Sequence, residues 1–176
     1  MNRLGKTFGL ILCGGLSRRM GKDKALLDYH GLPQYQWASN LLDPFCDQVF
    51  CSVSKKLEPV IQANKIVDVL DNQGPLGGIS SSFSKNNTVN WIVLSCDMPY
   101  INAEDVELLI QNAEVPHCYA QEGFINPLFS WWPKNCIQQV VDLYEQGERS
   151  PKVVFRTLGG KSISPLSADR QMNINR

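Results

Sequence analysis

The amino-acid sequence predicts an α/β fold with a mostly parallel β-sheet. Short apolar runs recur along the chain, and the segments between them have helical character. This alternation is typical of βαβ units. The predicted strands lie near residues 8–13, 49–54, 66–69 and 91–95.

The helices are predicted from apolar spacing and from residues that begin or end helices. Pro33 can open a helix whose apolar residues recur at spacings of three and four up to Leu42. Asn102 is a favourable cap for a second helix, in which Val106, Leu109 and Ile110 face inward. Later elements are an extended segment at 124–132, a helix at 137–144, and a short helix that begins at Ser150-Pro151 and ends at Gly159-Gly160.

The size and charge of the chain limit its partners. Its 176 residues fit one domain, spanning 1–176, with hydrophobic content of 43% and enough length to bury a core. The 17 basic residues are balanced by 17 acidic ones, so no overall field attracts nucleic acid or a membrane surface. Any site for a polyanion must therefore be local.

The cysteines indicate a reducing compartment. The six cysteines form no C-x-x-C pair, and several lie in apolar runs, among them Cys13 and Cys96. We interpret them as buried thiols. Because the sequence shows neither a signal peptide nor an apolar run near about 18 residues, this usage predicts a cytoplasmic protein.

The most informative segment is a glycine-rich loop that follows the first predicted strand. Residues 12–24 read LCGGLSRRMGKDK and contain four basic residues. Glycines at the end of a first strand let the backbone approach phosphate closely, and the basic residues would neutralise a polyphosphate. The spacing matches neither a P-loop nor the dinucleotide fingerprint. The alternative is a tight turn with a solvated basic face.

This loop and several later motifs resemble those of the molybdenum cofactor guanylyltransferases and their nucleotidyltransferase relatives. The loop matches the signature Leu-x-Gly-Gly-x-Ser-x-Arg-Met-Gly-x-Asp-Lys-Ala-Leu. Residues 74–78 (GPLGG) are similar to the family's Gly-Pro-Leu-Ala-Gly, residues 96–100 (CDMPY) to its Cys-Asp-x-Pro turn, and 147–149, 159–160 and 173–175 to further family segments. The resemblance spans nearly the whole chain and implies a single-domain, Rossmann-like three-layer α/β/α sandwich.

The resemblance also implies an activity. The expected enzyme is a Mg²⁺-dependent nucleotidyltransferase that moves GMP from GTP to the phosphate of molybdopterin and releases pyrophosphate. Because both reactants are anions, such catalysis needs positioning, cationic groups and usually a metal. Transient contact with proteins that deliver the cofactor or mature molybdoenzymes is also implied. The alternatives are CTP as donor, a sugar or alcohol phosphate as acceptor, or a non-catalytic nucleotide-binding protein.

Asp97 is the candidate metal ligand, since it follows a predicted core strand and Mg²⁺ prefers one or two carboxylates together with substrate phosphates. By resemblance, the catalytic residues are Arg19, Lys24 and Asp97, and Arg18, Lys22 and Asp23 mainly orient the loop or lie at the surface. The implied nucleotide-binding residues are Leu12, Cys13, Gly14, Gly15, Lys24, Ser52, Asp68, Gly74, Gly78 and Asp97.

Base and acceptor recognition are assigned by the same resemblance. One carboxylate can accept both guanine donors, and Asp68 aligns with the family's base-contacting Asp. Asp71 is a competing candidate, because the spacing to Gly74 varies. Ser52 stands where the family has an Asn. We interpret residues 74–78 as a loop passing close to the base or ribose, and His30 as part of a turn without a catalytic role. The predicted acceptor-binding residues are Asn126, Asn173 and Asn175.

Overall fold

A central sheet organises the fold. The structure, a computed structural model, describes residues 5–14, 23–68, 74–111, 114–121 and 123–166. Within these ranges, seven strands form one sheet in the order β3-β2-β1-β4-β6-β5-β7. The strands are β1 (Thr7–Leu12), β2 (Gln48–Val53), β3 (Lys65–Val67), β4 (Asn90–Ser95), β5 (His117–Gln121), β6 (Phe124–Trp132) and β7 (Lys161–Ile163).

Five α-helices connect these strands in the described part of the chain. They are α1 (Gln34–Leu42), α2 (Gly74–Lys85), α3 (Ala103–Ile110), α4 (Ile137–Glu145) and α5 (Pro151–Thr157). Three short 3₁₀ turns also occur there, at Lys24–Leu26, Asp43–Phe45 and Lys134–Cys136. No helix in the described ranges combines the length and apolar character needed to cross a membrane.

The sheet is mostly parallel, as the sequence predicts. Strand β1 lies parallel to β2 and β4, β2 is parallel to β3, and β5 is parallel to β7. Only β6 runs antiparallel to its neighbours β4 and β5 among the described strands. The carboxyl ends of β1, β2, β3 and β4 therefore lie at one edge of the sheet.

Helices cover both faces of the sheet, which confirms the three-layer α/β/α architecture. On one face, α1 and α3 bury Leu42 and Val106 in a core that also contains Ile11 and Leu94. On the other face, α2, α4 and α5 bury apolar side chains in a core that also contains Trp91 and Trp132. Burial of this apolar surface on both faces stabilises the sheet between the helices.

The predicted caps form as expected. The Asn102 side chain accepts a hydrogen bond from the Asp105 N–H at 3.2 Å, and Asp105 Oδ2 accepts one from the Asn102 N–H at 3.0 Å. This capping box begins α3. Ser150 caps α5 with Pro151 as its first residue, as predicted.

One prediction about local structure was wrong. Residues 74–78 do not form a loop: they are the first turns of α2. Pro75 has a φ angle already suited to the first turn of a helix, so the segment that resembles turn chemistry begins a helix instead. The predicted third strand ends earlier than expected within the described residues, at Val67, and Val69 lies outside them.

Candidate active site

The predicted site residues that the structure describes gather at the carboxyl edge of the parallel strands. Gly14 lies just after β1, Ser52 near the end of β2, Asp68 directly after β3 and Asp97 shortly after β4. This edge is where open α/β sheets bind ligands. The strand order arranges these residues along the edge from Asp68 on one side to Asp97 on the other.

Lys24 and Asp97 form an ion pair at this edge. The Lys24 Nζ lies 3.5 Å from Asp97 Oδ2, and both side chains are largely buried, with 18% and 12% of their surfaces exposed. Asp23 caps the turn that carries Lys24 by accepting a hydrogen bond from the Ala25 N–H at 3.3 Å. Burial raises the pKa of Asp23, while this hydrogen bond and the charge of Lys56 act in the opposite direction. A cation able to bind phosphate and a carboxylate able to bind metal are thus held side by side.

A second feature, which we call the Asp68 cleft, consists of the Asp68 carboxylate and of Ser52, Gly14 and Gly78 around it. The Ser52 hydroxyl is buried and donates a hydrogen bond to Asp68 Oδ1 at 2.9 Å. A Cβ atom on Gly78 would lie 3.5 Å from both Asp68 carboxylate oxygens, and one on Gly14 would lie 3.7 Å from Oδ2. The Asp68 carboxylate therefore lies between Gly14 and the start of α2.

Gly78 allows α2 to approach this cleft closely. A Cβ atom there would lie 2.5 Å from Ser52 Oγ, too close for both atoms to stay in place. Gly74 differs, because its Cβ would meet nothing within 4 Å, but its φ of +69° favours glycine. The structure thus brings Gly78 against Ser52 and Asp68, whereas Gly74 shapes the start of the helix.

The backbone at the end of β1, where Leu12, Cys13 and Gly14 are predicted to contact the nucleotide, continues the sheet. The Cys13 N–H donates to the Ser52 carbonyl at 3.0 Å, and the Leu12 carbonyl accepts from the Cys96 N–H at 3.2 Å. These bonds continue the sheet beyond β1, so the Cys13 N–H is not available to a phosphate. Gly14 is the first exposed residue after β1.

Asn126 is the predicted acceptor residue that the structure describes. Its Nδ2 donates to Met98 Sδ at 3.5 Å, and its Oδ1 accepts from the Leu128 N–H at 3.3 Å. Asn126 therefore lies beside the turn that carries Asp97. Several predicted residues lie outside the described ranges: Gly15, Arg18, Arg19, Lys22, Asp71, Asn173 and Asn175.

His30 supports the Asp97 turn, a role that we did not predict. The N–H groups of His30 and Gly31 donate to Asp28 Oδ1 at 3.1 and 2.6 Å, which confirms the predicted turn. The His30 ring also stacks on Trp37, with centroids 4.4 Å apart, and its Nε2 lies 2.8 Å from the Pro99 carbonyl oxygen. No local pattern could have revealed this contact, because Pro99 is 69 residues away in the chain.

The Asp97 carboxylate suits a metal that is shared with substrate phosphates. Among the described residues, no group of three or more His, Cys, Asp or Glu side chains could hold a metal ion. Mg²⁺ commonly binds one or two carboxylates together with substrate phosphates. Asp97, at the end of β4 and beside a lysine, provides a carboxylate for that kind of site.

Comparison with known proteins identifies the class to which this fold and site belong. Residues 9–161 match the MobA-like NTP transferase domain. Because this match covers most of the chain, the chain belongs to the MobA-like NTP transferase family. It is therefore a nucleotidyltransferase, and the sequence-based resemblance is confirmed.

Two curated relatives have names that refer to the molybdenum cofactor. The molybdenum cofactor guanylyltransferase of Pseudomonas paraeruginosa is 34% identical over 175 residues, which cover 94% of this chain and 88% of the relative. The molybdenum cofactor biosynthesis bifunctional protein of Synechocystis is 35% identical over 96% of this chain. The chain spans about half the length of that bifunctional relative, 51%.

Solved structures show the same fold. Molybdopterin-guanine dinucleotide biosynthesis protein A from Archaeoglobus fulgidus has a TM-score of 0.77 at 21% identity, covering 96% of this chain and 92% of that one. A nucleotidyl transferase from Methanothermobacter has a TM-score of 0.81 at 11% identity, covering 98% and 93%. At these identities the likeness establishes the α/β architecture.

Proposed function

We propose that this chain transfers GMP from GTP to the phosphate of molybdopterin and releases pyrophosphate. The observation that carries the proposal is that the Lys24–Asp97 pair and the Asp68 cleft share one sheet edge. The names of the curated relatives at 34% and 35% identity support the same reaction.

The reaction needs no nucleophile from the protein. An oxygen of the acceptor phosphate attacks the α-phosphorus of GTP, the bond to the bridging oxygen of the β-phosphate breaks, and pyrophosphate leaves in line. Catalysis then depends on holding two anions together and stabilising the charge of the leaving group. Lys24 supplies one positive charge for this purpose, and Arg19 in the same loop supplies another.

Mg²⁺ is the proposed metal, and Asp97 is its protein ligand. Asp97 is one carboxylate in a largely buried position, which suits a hard cation that takes its remaining ligands from phosphate and water. Mg²⁺ bound with the nucleotide would neutralise phosphate charge. Lys24 holds the carboxylate in place through the 3.5 Å ion pair.

Asp68 is the proposed base-recognition residue. Guanine presents two adjacent donors, N1–H and the exocyclic amine, and one carboxylate can accept from both. The hydrogen bond from Ser52 to Oδ1 fixes the orientation of that carboxylate. Gly78 leaves the space that the carboxylate and base require, because a side chain there would collide with Ser52.

The acceptor lies on the other side of Asp97 in this proposal. Asn126, which contacts Met98 in the Asp97 turn, binds the acceptor together with Asn173 and Asn175. The enzyme receives molybdopterin through transient contacts with delivery or maturation proteins. Its six cysteines form no disulfide, which supports action in the reducing cytoplasm.

Turnover with each nucleotide tests the proposal directly. Purified protein is incubated with Mg²⁺, molybdopterin and each of the four NTPs in turn, and pyrophosphate and the dinucleotide product are measured. We expect product with GTP, and none when the acceptor or Mg²⁺ is omitted. Preference for CTP would overturn the guanylyl assignment, and absence of product with every NTP would overturn the proposed acceptor.

A further inference from the structure

A β-hairpin projects past the end of the central strand beside the proposed acceptor site. Strand β6 runs antiparallel to β4, with Phe129 opposite Leu94, and continues back to Phe124. His117 and Ile92 both pair with Trp131, and β6 is irregular between Asn126 and Ser130, so the length of the hairpin is counted along β5. At about 3.3 Å per residue, the Gln121–Phe124 pair lies one residue, roughly 3 Å, beyond the level of Ser95, the last residue of β4. The end of the β5–β6 hairpin therefore reaches the sheet edge that carries Asp97.

The hairpin lies against the Asp97 turn. The contact between Asn126 Nδ2 and Met98 Sδ, at 3.5 Å, joins the two segments. Side chains alternate along a strand, so Phe124 lies on the same face of β6 as Asn126. Gln121 pairs with Phe124 at the end of the hairpin, where Gly123 has a φ of +79°.

Two aromatic side chains at this location are exposed to solvent. Phe124 is 73% exposed, the highest value among the exposed large hydrophobic residues of the described chain, and Tyr100 is 51% exposed. Tyr100 follows Asp97 closely in the turn that His30 supports through Pro99. The ring of a strongly exposed phenylalanine beside a ligand site is removed from water only when a ligand or another molecule covers it.

The positions of the proposed binding residues along the sheet edge indicate which molecule covers these rings. The Asp68 cleft lies over β1, β2 and β3, and Asp97 follows β4. The phosphate of the acceptor must reach Asp97 and Lys24, so the rest of the acceptor extends toward β6 and β5. Its ring system then passes the hairpin and the turn that carry the two aromatic residues.

We propose that Phe124 and Tyr100 form an aromatic platform that stacks on the flat pyrimidine ring of the acceptor's pterin. The inference rests on the proposed function, which supplies a phosphorylated heteroaromatic acceptor. Both residues bind the acceptor and do not contact the reacting atoms. Aromatic side chains stack favourably on flat heterocycles, and their removal weakens such binding by roughly tenfold or more.

Binding and kinetics of point variants test the platform. Molybdopterin affinity is measured by calorimetry, and KM is measured separately for molybdopterin and GTP. We expect Phe124→Ala and Phe124→Leu to weaken molybdopterin binding and raise its KM about tenfold, with the GTP KM unchanged. Phe124→Tyr keeps the ring and should retain near wild-type values. Tyr100→Ala should behave like Phe124→Ala.

Val153→Ala is the matched control. Val153 is 45% exposed on α5, and its truncation also removes exposed apolar surface. This variant should leave both KM values and molybdopterin affinity unchanged. Thermal melting of every variant checks that the fold is retained.

The outcomes separate this inference from the proposed function. Molybdopterin affinities within twofold of wild type in Phe124→Ala, Tyr100→Ala and the double variant would overturn the platform, even if wild type transfers GMP. Wild-type protein that binds molybdopterin but does not transfer GMP would overturn the proposed function alone, provided that Phe124→Ala weakens that binding. Absence of molybdopterin binding to wild type would overturn both.

Discussion

The chemistry of the candidate site depends on a few side-chain orientations. Ser52 is buried and donates to Asp68 at 2.9 Å, which turns one carboxylate oxygen toward the serine. Gly14 lies on the side of the other oxygen. A carboxylate fixed by a neighbouring hydroxyl loses little conformational freedom when a ligand binds, so the entropic cost of binding is reduced.

Exchange of Asp68 for asparagine tests base recognition. Asp68→Asn should cost about 1–3 kcal/mol of GTP binding, because an amide oxygen is a weaker acceptor and the amide NH₂ would face the guanine amine. ATP affinity should change little, since adenine has no N1 proton. Titration calorimetry with both nucleotides measures the GTP-to-ATP ratio. An unchanged ratio in Asp68→Asn and a lost ratio in Asp71→Asn would assign the base to Asp71.

Exchange of Asp97 for asparagine tests the proposed metal ligand. The variant keeps the side-chain shape but removes the charge, so kcat should fall by at least about a hundredfold, or roughly 2.7 kcal/mol of transition-state stabilisation. Initial rates of pyrophosphate release measure the effect, and circular dichroism checks the fold. Activity within about tenfold of wild type would remove Asp97 from the metal site.

At the level of elements, the start of α2 determines the shape of the cleft. The helix begins at Gly74 and contacts β2 through Gly78, where a Cβ atom would lie 2.5 Å from Ser52 Oγ. The position of α2 against the sheet therefore requires a residue without a side chain at position 78. Any larger residue at position 78 must move either the helix or the serine that orients Asp68.

A double-mutant cycle tests this contact. Gly78→Ala should lower the free energy of unfolding by about 1–3 kcal/mol, because overpacking forces local rearrangement. In a Ser52→Ala background the obstructing hydroxyl is absent, so the same substitution should cost at least about 0.5 kcal/mol less. Urea denaturation of the four proteins measures the coupling. If Gly78→Ala lowers the free energy of unfolding equally in both backgrounds, the 2.5 Å distance between a Cβ at position 78 and Ser52 Oγ does not limit packing.

At the scale of the whole molecule, the fold buries most of the cysteines. Five of the six are buried, and Cys46 is partly buried. Burial raises the pKa of the Cys46, Cys118 and Cys136 thiols to about 12. Hydrogen bonds to the Cys51 and Cys96 thiols, followed by burial itself, raise the pKa of Cys13 well above its ordinary value. These thiols remain protonated near neutral pH, since a raised pKa removes the thiolate.

This burial predicts slow thiol chemistry in the native protein. At pH 8, a thiol with a pKa of about 12 is ionised to about one part in ten thousand, and only the thiolate reacts readily. Reaction of Cys46, Cys118 and Cys136 with an aromatic disulfide reagent should therefore be slow in buffer, whereas the protein should release six equivalents in denaturant. Stoichiometric reaction of native protein within seconds would contradict the burial.

The sequence alone determined the local elements of this protein. Strands β1, β2 and β4 and the starts of α1, α3 and α5 lie within about one or two residues of their predicted bounds. Apolar periodicity and caps such as Asn102 are local, because the residues that form them are neighbours in the chain. The resemblance to nucleotidyltransferases was also carried by short contiguous motifs, and the family match confirms it. The roles of Arg19, Lys24, Asp68 and Asp97 stay predictions.

Only the tertiary structure decided how these elements pack together. It placed residues 74–78 in α2, because Pro75 suits both a turn and a helix start and the motif alone does not distinguish them. It also revealed the hydrogen bond from Ser52 to Asp68 and the contact of His30 with Pro99, between residues 16 and 69 positions apart. Such contacts follow from strand order and from the packing of loops over the sheet edge. A local pattern does not encode strand order, because it depends on which apolar faces are buried together in the whole fold.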